Sequence, residues 1–121
     1  MQSTVKTGKK GEQYSKEYFI NNGYEIQEQN WRHGKNEIDL IVKKEKVICF
    51  VEVKTRTKDY LIEPLLSISM DQQKRIISTA HQYIMLHKLD LEIRFDIIGI
   101  VIEESKMNLK HLEDAFYPTL D

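Results

Sequence analysis

The chain has 121 residues, enough for one domain that buries its own apolar core without disulfide or structural-metal staples. Its 18 Lys and Arg against 19 Asp and Glu leave a formal net charge of −1, which excludes bulk attraction to a polyanion and puts the weight on how the charges are placed. A single cysteine excludes a disulfide framework, and no apolar run approaches the ~20 residues of a membrane-spanning helix.

Charge is distributed unevenly. Six cations fall between Lys43 and Lys58, the N-terminal "KTGKKGEQYSK" is also basic, and the acidic surplus sits mainly in the last third, in "IEESK" and "HLEDAF". With no signal-peptide h-region in view, a cytoplasmic location is expected, with Cys49 a buried, reduced thiol.

Taken in order, residues 1 to about 8 are expected to be loose. "GEQYSKEYFINNG" predicts a helix with an apolar stripe at Tyr14, Tyr18 and Phe19, closed by Gly23. "YEIQEQNWR" predicts a short strand with Trp31 packed in the core. "NEIDLIV" and "KVICFVEVK" predict two strands joined by the polar "KKEK". An irregular loop through Pro64 follows. "SMDQ" then reads as a capping box, Ser69 to Gln72, opening a helix with Ile76, Ile77, Ala80, Tyr83 and Ile84 on its apolar face. "EIRFDIIGIVIE" predicts a strand covered on both faces, and "LKHLEDAFYP" a terminal element of open type. This order predicts a single-domain α/β sandwich, residues 1–121, with a mixed sheet.

The chemistry is concentrated in "VICFVEVKTRTK". It starts as a buried strand and ends with Glu52, Lys54, Arg56 and Lys58 at every second position. If "KKEK" closes the hairpin as a four-residue loop, Val42 pairs with Val47, Asp39 faces Phe50 and Glu37 faces Glu52. Alternation along a strand then turns Glu37, Asp39, Glu52 and Lys54 to one face, with Asp39 and Glu52 diagonal neighbours ~7 Å apart. Paired carboxylates repel unless a cation sits between them. Mg²⁺ takes oxygen ligands, keeps several waters and commonly uses one or two protein carboxylates, and the Val53 carbonyl is a further candidate ligand. Lys54 would then orient the attacking water or neutralise charge on the phosphorane. The competing reading of the same residues is a salt-bridged strand end whose lysines reach into solvent.

A resemblance covers nearly the whole chain. "GKNEIDLIV" followed by "ICFVEVKTRT" resembles the PD-(D/E)XK nuclease signature, with Asp39 as the first acid and Glu52-Val53-Lys54 as the second half. The blocks "GKKGEQYSKEYFINNGYEI", "NWRHGKNEIDLIV", "FVEVKTRT", "RFDIIGI" and "HLEDAFYP" resemble, in order, the YraN family of small bacterial predicted endonucleases, distant relatives of archaeal Holliday-junction resolvases. The resemblance implies a restriction-endonuclease-like fold, a mixed sheet flanked by helices. It implies Mg²⁺ or Mn²⁺ held by Asp39, Glu52, Val53 and Glu12, where spacing alone does not bring Glu12 near Asp39. It further implies a DNA substrate, branched or structured, and by analogy with the resolvases a homodimer.

Arg56, Lys58, Lys9 and Lys10 are the expected phosphate contacts, positioning a backbone without reading sequence. The helix start "MDQQKR" carries fewer cations than the family pattern, and Gln72 or Gln73 is a candidate to approach the site. His33, His81, His87 and His111 have no zinc-like spacing and are expected at the surface or boundary. Asp96 is expected to pair with Arg94 or bond a neighbouring element, and Glu37 to stand near the acids or serve only as a turn residue. The expected function is a metal-dependent endonuclease acting on DNA; the alternatives are a silent binding module on the same fold or a structural subunit.

Overall fold

The computed structural model describes residues 4–118, with side chains from Lys6 onward. Eight elements follow one another: α1 Thr4–Asn21, β1 Glu25–His33, β2 Asn36–Lys44, β3 Val47–Thr57, α2 Ile62–Leu65, α3 Met70–His87, β4 Glu92–Glu103 and β5 Lys106–Phe116. The strands form one sheet in sequence order. All neighbours are antiparallel except β3 and β4, which α2 and α3 connect as a crossover. This is the expected mixed-sheet α/β architecture, flanked by helices and consistent with a restriction-endonuclease-like fold.

Two apolar layers sandwich the sheet. Phe19 of α1 meets Leu40, Val42, Cys49, Val51, Ile98 and Ile100 on one face. Ile76, Ala80 and Tyr83 of α3 meet Ile41, Ile48, Phe50, Phe95 and Ile97 on the other. The central strands β3 and β4 supply both layers, which is why their sequences run apolar without alternation. Trp31 packs against the α3 layer, edge-on to Tyr83 at 5.1 Å. Cys49 is fully buried, and desolvation pushes its thiol up to about 12.

Local chemistry fixes the boundaries. At the end of α1, Tyr24 N–H donates to Phe19 O (2.9 Å) and Gly23 N–H to Ile20 O (3.1 Å), with Gly23 at φ 87°. The Tyr24 and Phe19 rings close this Schellman turn at 5.1 Å. Each of the hairpin turns begins with a residue at positive φ: Gly34 (63°), Glu45 (55°) and Glu104 (57°). Such turns match the right-handed twist of the paired strands. Ser69 caps α3 by accepting from Gln72 N–H at 3.1 Å, but the Gln72 side chain does not complete the expected box. It turns to Glu52 instead.

Several expectations are corrected. The helix α1 starts at Thr4, so residues 4–8 are helical rather than loose; residues 1–3 lie outside the described residues. Its buried face is not the tyrosine stripe but Thr7, Gly11, Ser15 and Phe19, with Tyr14 37% exposed. Small residues win that face because α1 lies hard against β3: a Cβ on Gly11 would stand 1.8 Å from Thr55 Oγ1. The loop through Pro64 contains the helical turn α2, and the C-terminal element of open type is the edge strand β5. For His111 the boundary expectation holds. Its side chain is 7% exposed and its Nε2 lies 2.7 Å from Asp96.

Candidate functional site

The β2–β3 hairpin turns on two residues, Glu45 and Lys46, not four, and pairs Lys44 with Val47, Val42 with Cys49 and Leu40 with Val51. The expected register of Asp39 on Phe50 and Glu37 on Glu52 is therefore wrong by two positions. An even slip by itself conserves the face of a side chain, and Asp39 and Glu52 remain neighbours. Continued past the last pair, the observed register sets Asp39 opposite Glu52.

At that point the two strands part. Regular alternation would next pair Val53 with the β2 backbone, but Val53 N–H donates instead to Asp39 Oδ2 at 2.8 Å. The neighbours of Asp39 confirm the distortion: Ile38 belongs to the α3 layer and Leu40 to the α1 layer, although two residues apart on one strand. Across on β1, Asn30 adopts φ 52°. Asp39 thus sits where β2 twists, its carboxylate turned into the gap toward β3.

Glu52 faces the α3 side, where Gln72 Nε2 donates to its Oε2 at 3.0 Å. Desolvation, followed by hydrogen bonding with Glu52 and the charge of Glu52, pushes the Asp39 carboxyl up to about 8, against the lowering effect of the Val53 amide. Burial beside Glu52 therefore favours the protonated form of Asp39. Glu12 comes from α1, on the opposite face, and Asn30 Nδ2 donates to its Oε1 at 3.2 Å. Burial raises its carboxyl above the ordinary range, the Asn30 hydrogen bond offsets part of this, and the charges of Asp39 and Glu37 add to it. Gly11, by letting α1 touch β3, is the residue that brings Glu12 to this end of the sheet.

The sequence-predicted residues are therefore gathered unequally. Asp39, Glu52 and the Val53 amide meet directly, while Glu12, on the other layer, feels the charge of Asp39 and bonds Asn30. Among the described residues no group of three His, Cys, Asp or Glu side chains is assembled closely enough to hold a metal. Lys54 Nζ, on the Glu52 side of the sheet, donates to Ser67 O at 2.7 Å. Burial lowers the Lys54 ammonium, against the opposing charge of Glu52. Glu37 pairs with Arg32 at 3.6 Å and lines, with Glu52, Gln72, Lys35 and Arg75, a cleft of about 170 Å³. Arg56 is exposed at the end of β3, and Lys58 follows in the turn beyond it. Lys9 and Lys10 line a separate groove between α1 and the β4–β5 hairpin, away from the acid pair. Gln73 bonds Ile68 O and does not reach the acids.

Two positioning residues escaped the sequence reading. Asn30 and Gly11 act through a bulged strand and a helix approach, and no pattern in the sequence announces either. The Asp96 expectation holds in fuller form: Arg94 grips it through two nitrogens at 2.9 and 2.8 Å, and His111 and the Asp114 amide complete the shell.

The donor set fits a hard cation. Both meeting side chains offer carboxylate oxygens, and the raised Asp39 carboxyl, owed to burial and then to Glu52, marks repulsion that a divalent ion would relieve. Two carboxylates with water filling the remaining positions is the ligation Mg²⁺ commonly accepts.

A family profile described as uncharacterised protein family UPF0102 matches residues 11–100. A UPF0102 protein of Flavobacterium psychrophilum is 40% identical over 110 residues, covering 91% of this chain and 92% of its own. One from Chloroherpeton thalassium is 38% identical over 120 residues, covering 97% and 93%, and one from Parabacteroides distasonis is 36% identical over 110 residues, covering 91% of each.

Proposed function

We propose that this chain, which belongs to the UPF0102 family, is a metal-dependent nuclease that hydrolyses phosphodiester bonds in DNA. One observation carries the reading: two carboxyls, Asp39 and Glu52, are held together where β2 and β3 part, at a cost that folding alone does not require. Such costs concentrate at sites of chemistry. The YraN resemblance of the surrounding blocks supports the same reading.

Asp39 and Glu52 would hold Mg²⁺ or Mn²⁺, with Glu12 adding negative charge from the α1 side. A bound ion would supply charge to a phosphoryl oxygen and acidify a water ligand. The chain's own residues do the rest. The Val53 amide fixes the rotamer of Asp39 and Gln72 that of Glu52, so both acids are set before substrate arrives. Lys54 is the cation nearest along β3; leaving Ser67 O would free its ammonium to orient water or meet charge on the leaving group. Arg56 at the end of the strand and Lys58 in the turn after it would bind flanking phosphates, giving salt-sensitive affinity without base reading.

The engagement of Lys54 with Ser67 O favours one competing reading, a nucleic-acid-binding module that does not cut. Incubating the protein with junction, flap, single-stranded and duplex DNA in Mn²⁺ separates the two. Cleavage lost in Glu52→Ala supports the nuclease; cleavage unchanged by that substitution, or none on any substrate, removes it.

A further inference from the structure

The segment that follows β3 carries a second feature that the acid pair does not use. After Thr57 the chain reverses in a turn whose Asp59 adopts φ 83°. This reversal folds Tyr60 back onto the strand it has just left, and the Arg56 guanidinium lies over the Tyr60 ring at 5.8 Å from its centroid. Arg56 is oriented from beneath by its own Nη1–H donated to Thr55 O at 2.8 Å. Tyr60 remains 55% exposed, although a ring of that size ordinarily gains by burial. Leu61, next in the chain, is 74% exposed.

Position gives the pair its meaning. Arg56 lies four residues beyond Glu52 on the same strand and the same face, ~13 Å away at ~3.3 Å per residue. A strand of nucleic acid whose scissile phosphate sits at the acid pair would pass this point a nucleotide or two later. Lys58 adds positive charge, and Glu63, an acid of the same segment, is engaged by Lys110 at 3.0 Å. An exposed aromatic ring braced by a guanidinium and set among phosphate-binding cations is what base stacking requires. Within a duplex every base face is already stacked, so such a ring has work only where a base is unpaired.

We infer that Tyr60 and Arg56 form a stacking platform for an unpaired nucleobase flanking the acid site, so that the substrate is a strand with single-stranded character rather than continuous duplex. The inference names the substrate class of the site proposed above and rests on that reading in placing the scissile phosphate at Asp39 and Glu52.

The test is binding without cleavage. Fluorescence anisotropy in EDTA at low salt compares a short labelled oligothymidylate, an abasic oligomer of equal charge and a duplex of equal length. Wild type is expected to bind the oligothymidylate about 5- to 150-fold tighter than the abasic strand, from ~1–3 kcal/mol per stacked base. Tyr60→Ala should erase that difference, Tyr60→Phe should keep it, and duplex affinity should change in neither variant. Equal binding of abasic and normal strands, an unchanged preference in Tyr60→Ala, or no binding of any oligomer overturns the platform. Because no metal is present, a protein that never cuts DNA can still pass, and one that cuts duplex efficiently while failing here refutes the platform alone. Tyr60 is too exposed for its truncation to disturb the core.

Discussion

Replacing Asp39 by asparagine should make the metal-free protein more stable. Asparagine keeps an acceptor for the Val53 amide and removes the charge that the pair cannot accommodate. Asp39 is raised from 3.8 to about 8 in the fold, chiefly by burial and then by Glu52. A group whose folded pKa is raised contributes stability below its unfolded pKa and loses it as pH climbs through the folded one. The wild type therefore weakens between pH 4 and 8. At about 1.4 kcal/mol per pH unit the full displacement corresponds to roughly 6 kcal/mol against the ionised form. Relaxation of the pair and entry of water reduce this, and about 2 kcal/mol at pH 8 is the expected gain. That equals a rise of about 5–10 °C in Tm for a domain of this size. Calorimetric melting of both proteins at pH 4.5 and pH 8, in EDTA, reads it directly. The gain should appear at pH 8 and vanish at pH 4.5. An Asp39→Asn protein that melts below wild type at pH 8, or a gain independent of pH, would refute the reasoning.

The buried partner of Arg94 should behave oppositely. Against the desolvation of burial, hydrogen bonds from His111 and Arg94 hold Asp96 below the usual carboxylate range. Its contribution is present above pH 4 and lost as pH falls further, and Asp96→Asn should cost about 3–5 kcal/mol by stranding the guanidinium, measured by urea unfolding at pH 7. Gly11→Ala should force α1 off Thr55 and destabilise by about 1–3 kcal/mol; in the same variant cleavage should fall further than folding does, because Glu12 moves with the helix. Lys54→Met should abolish cleavage while leaving Mn²⁺ affinity within about twofold, since the ammonium is no ligand; equal loss of both would contradict its assigned role.

What the sequence could disclose followed period and parity. The strands β2, β3 and β4 were legible from continuous apolar runs, α3 from its Ser69 cap, and the α1 terminus from Gly23. The sequence makes Asp39 and Glu52 diagonal neighbours through a register in error by two residues; the observed register sets them opposite one another. Contacts between layers were not legible. Nothing local says that Gly11 admits Thr55 Oγ1, that a positive-φ Asn30 holds Glu12, or that Gln72 abandons its cap for Glu52. The Asp96–His111–Tyr18 chain, with Tyr18 Oη hydrogen-bonded to His111 Nδ1 at 2.9 Å, joins residues 93 positions apart and has no spacing that could reveal it. Long-range side-chain geometry of this kind is decided by packing, not by propensity.

The central claim, that Asp39 and Glu52 are kept together to receive a divalent cation, is tested most directly by titrating metal-free protein with Mn²⁺ in a calorimeter at pH 7. Wild type should bind with an enthalpy that varies with buffer, because the proton that burial favours on Asp39 must leave when the ion enters. The Asp39→Asn/Glu52→Gln protein should give no such heat. Absence of Mn²⁺ binding to wild type, or equal binding to the doubly substituted protein, would contradict the account.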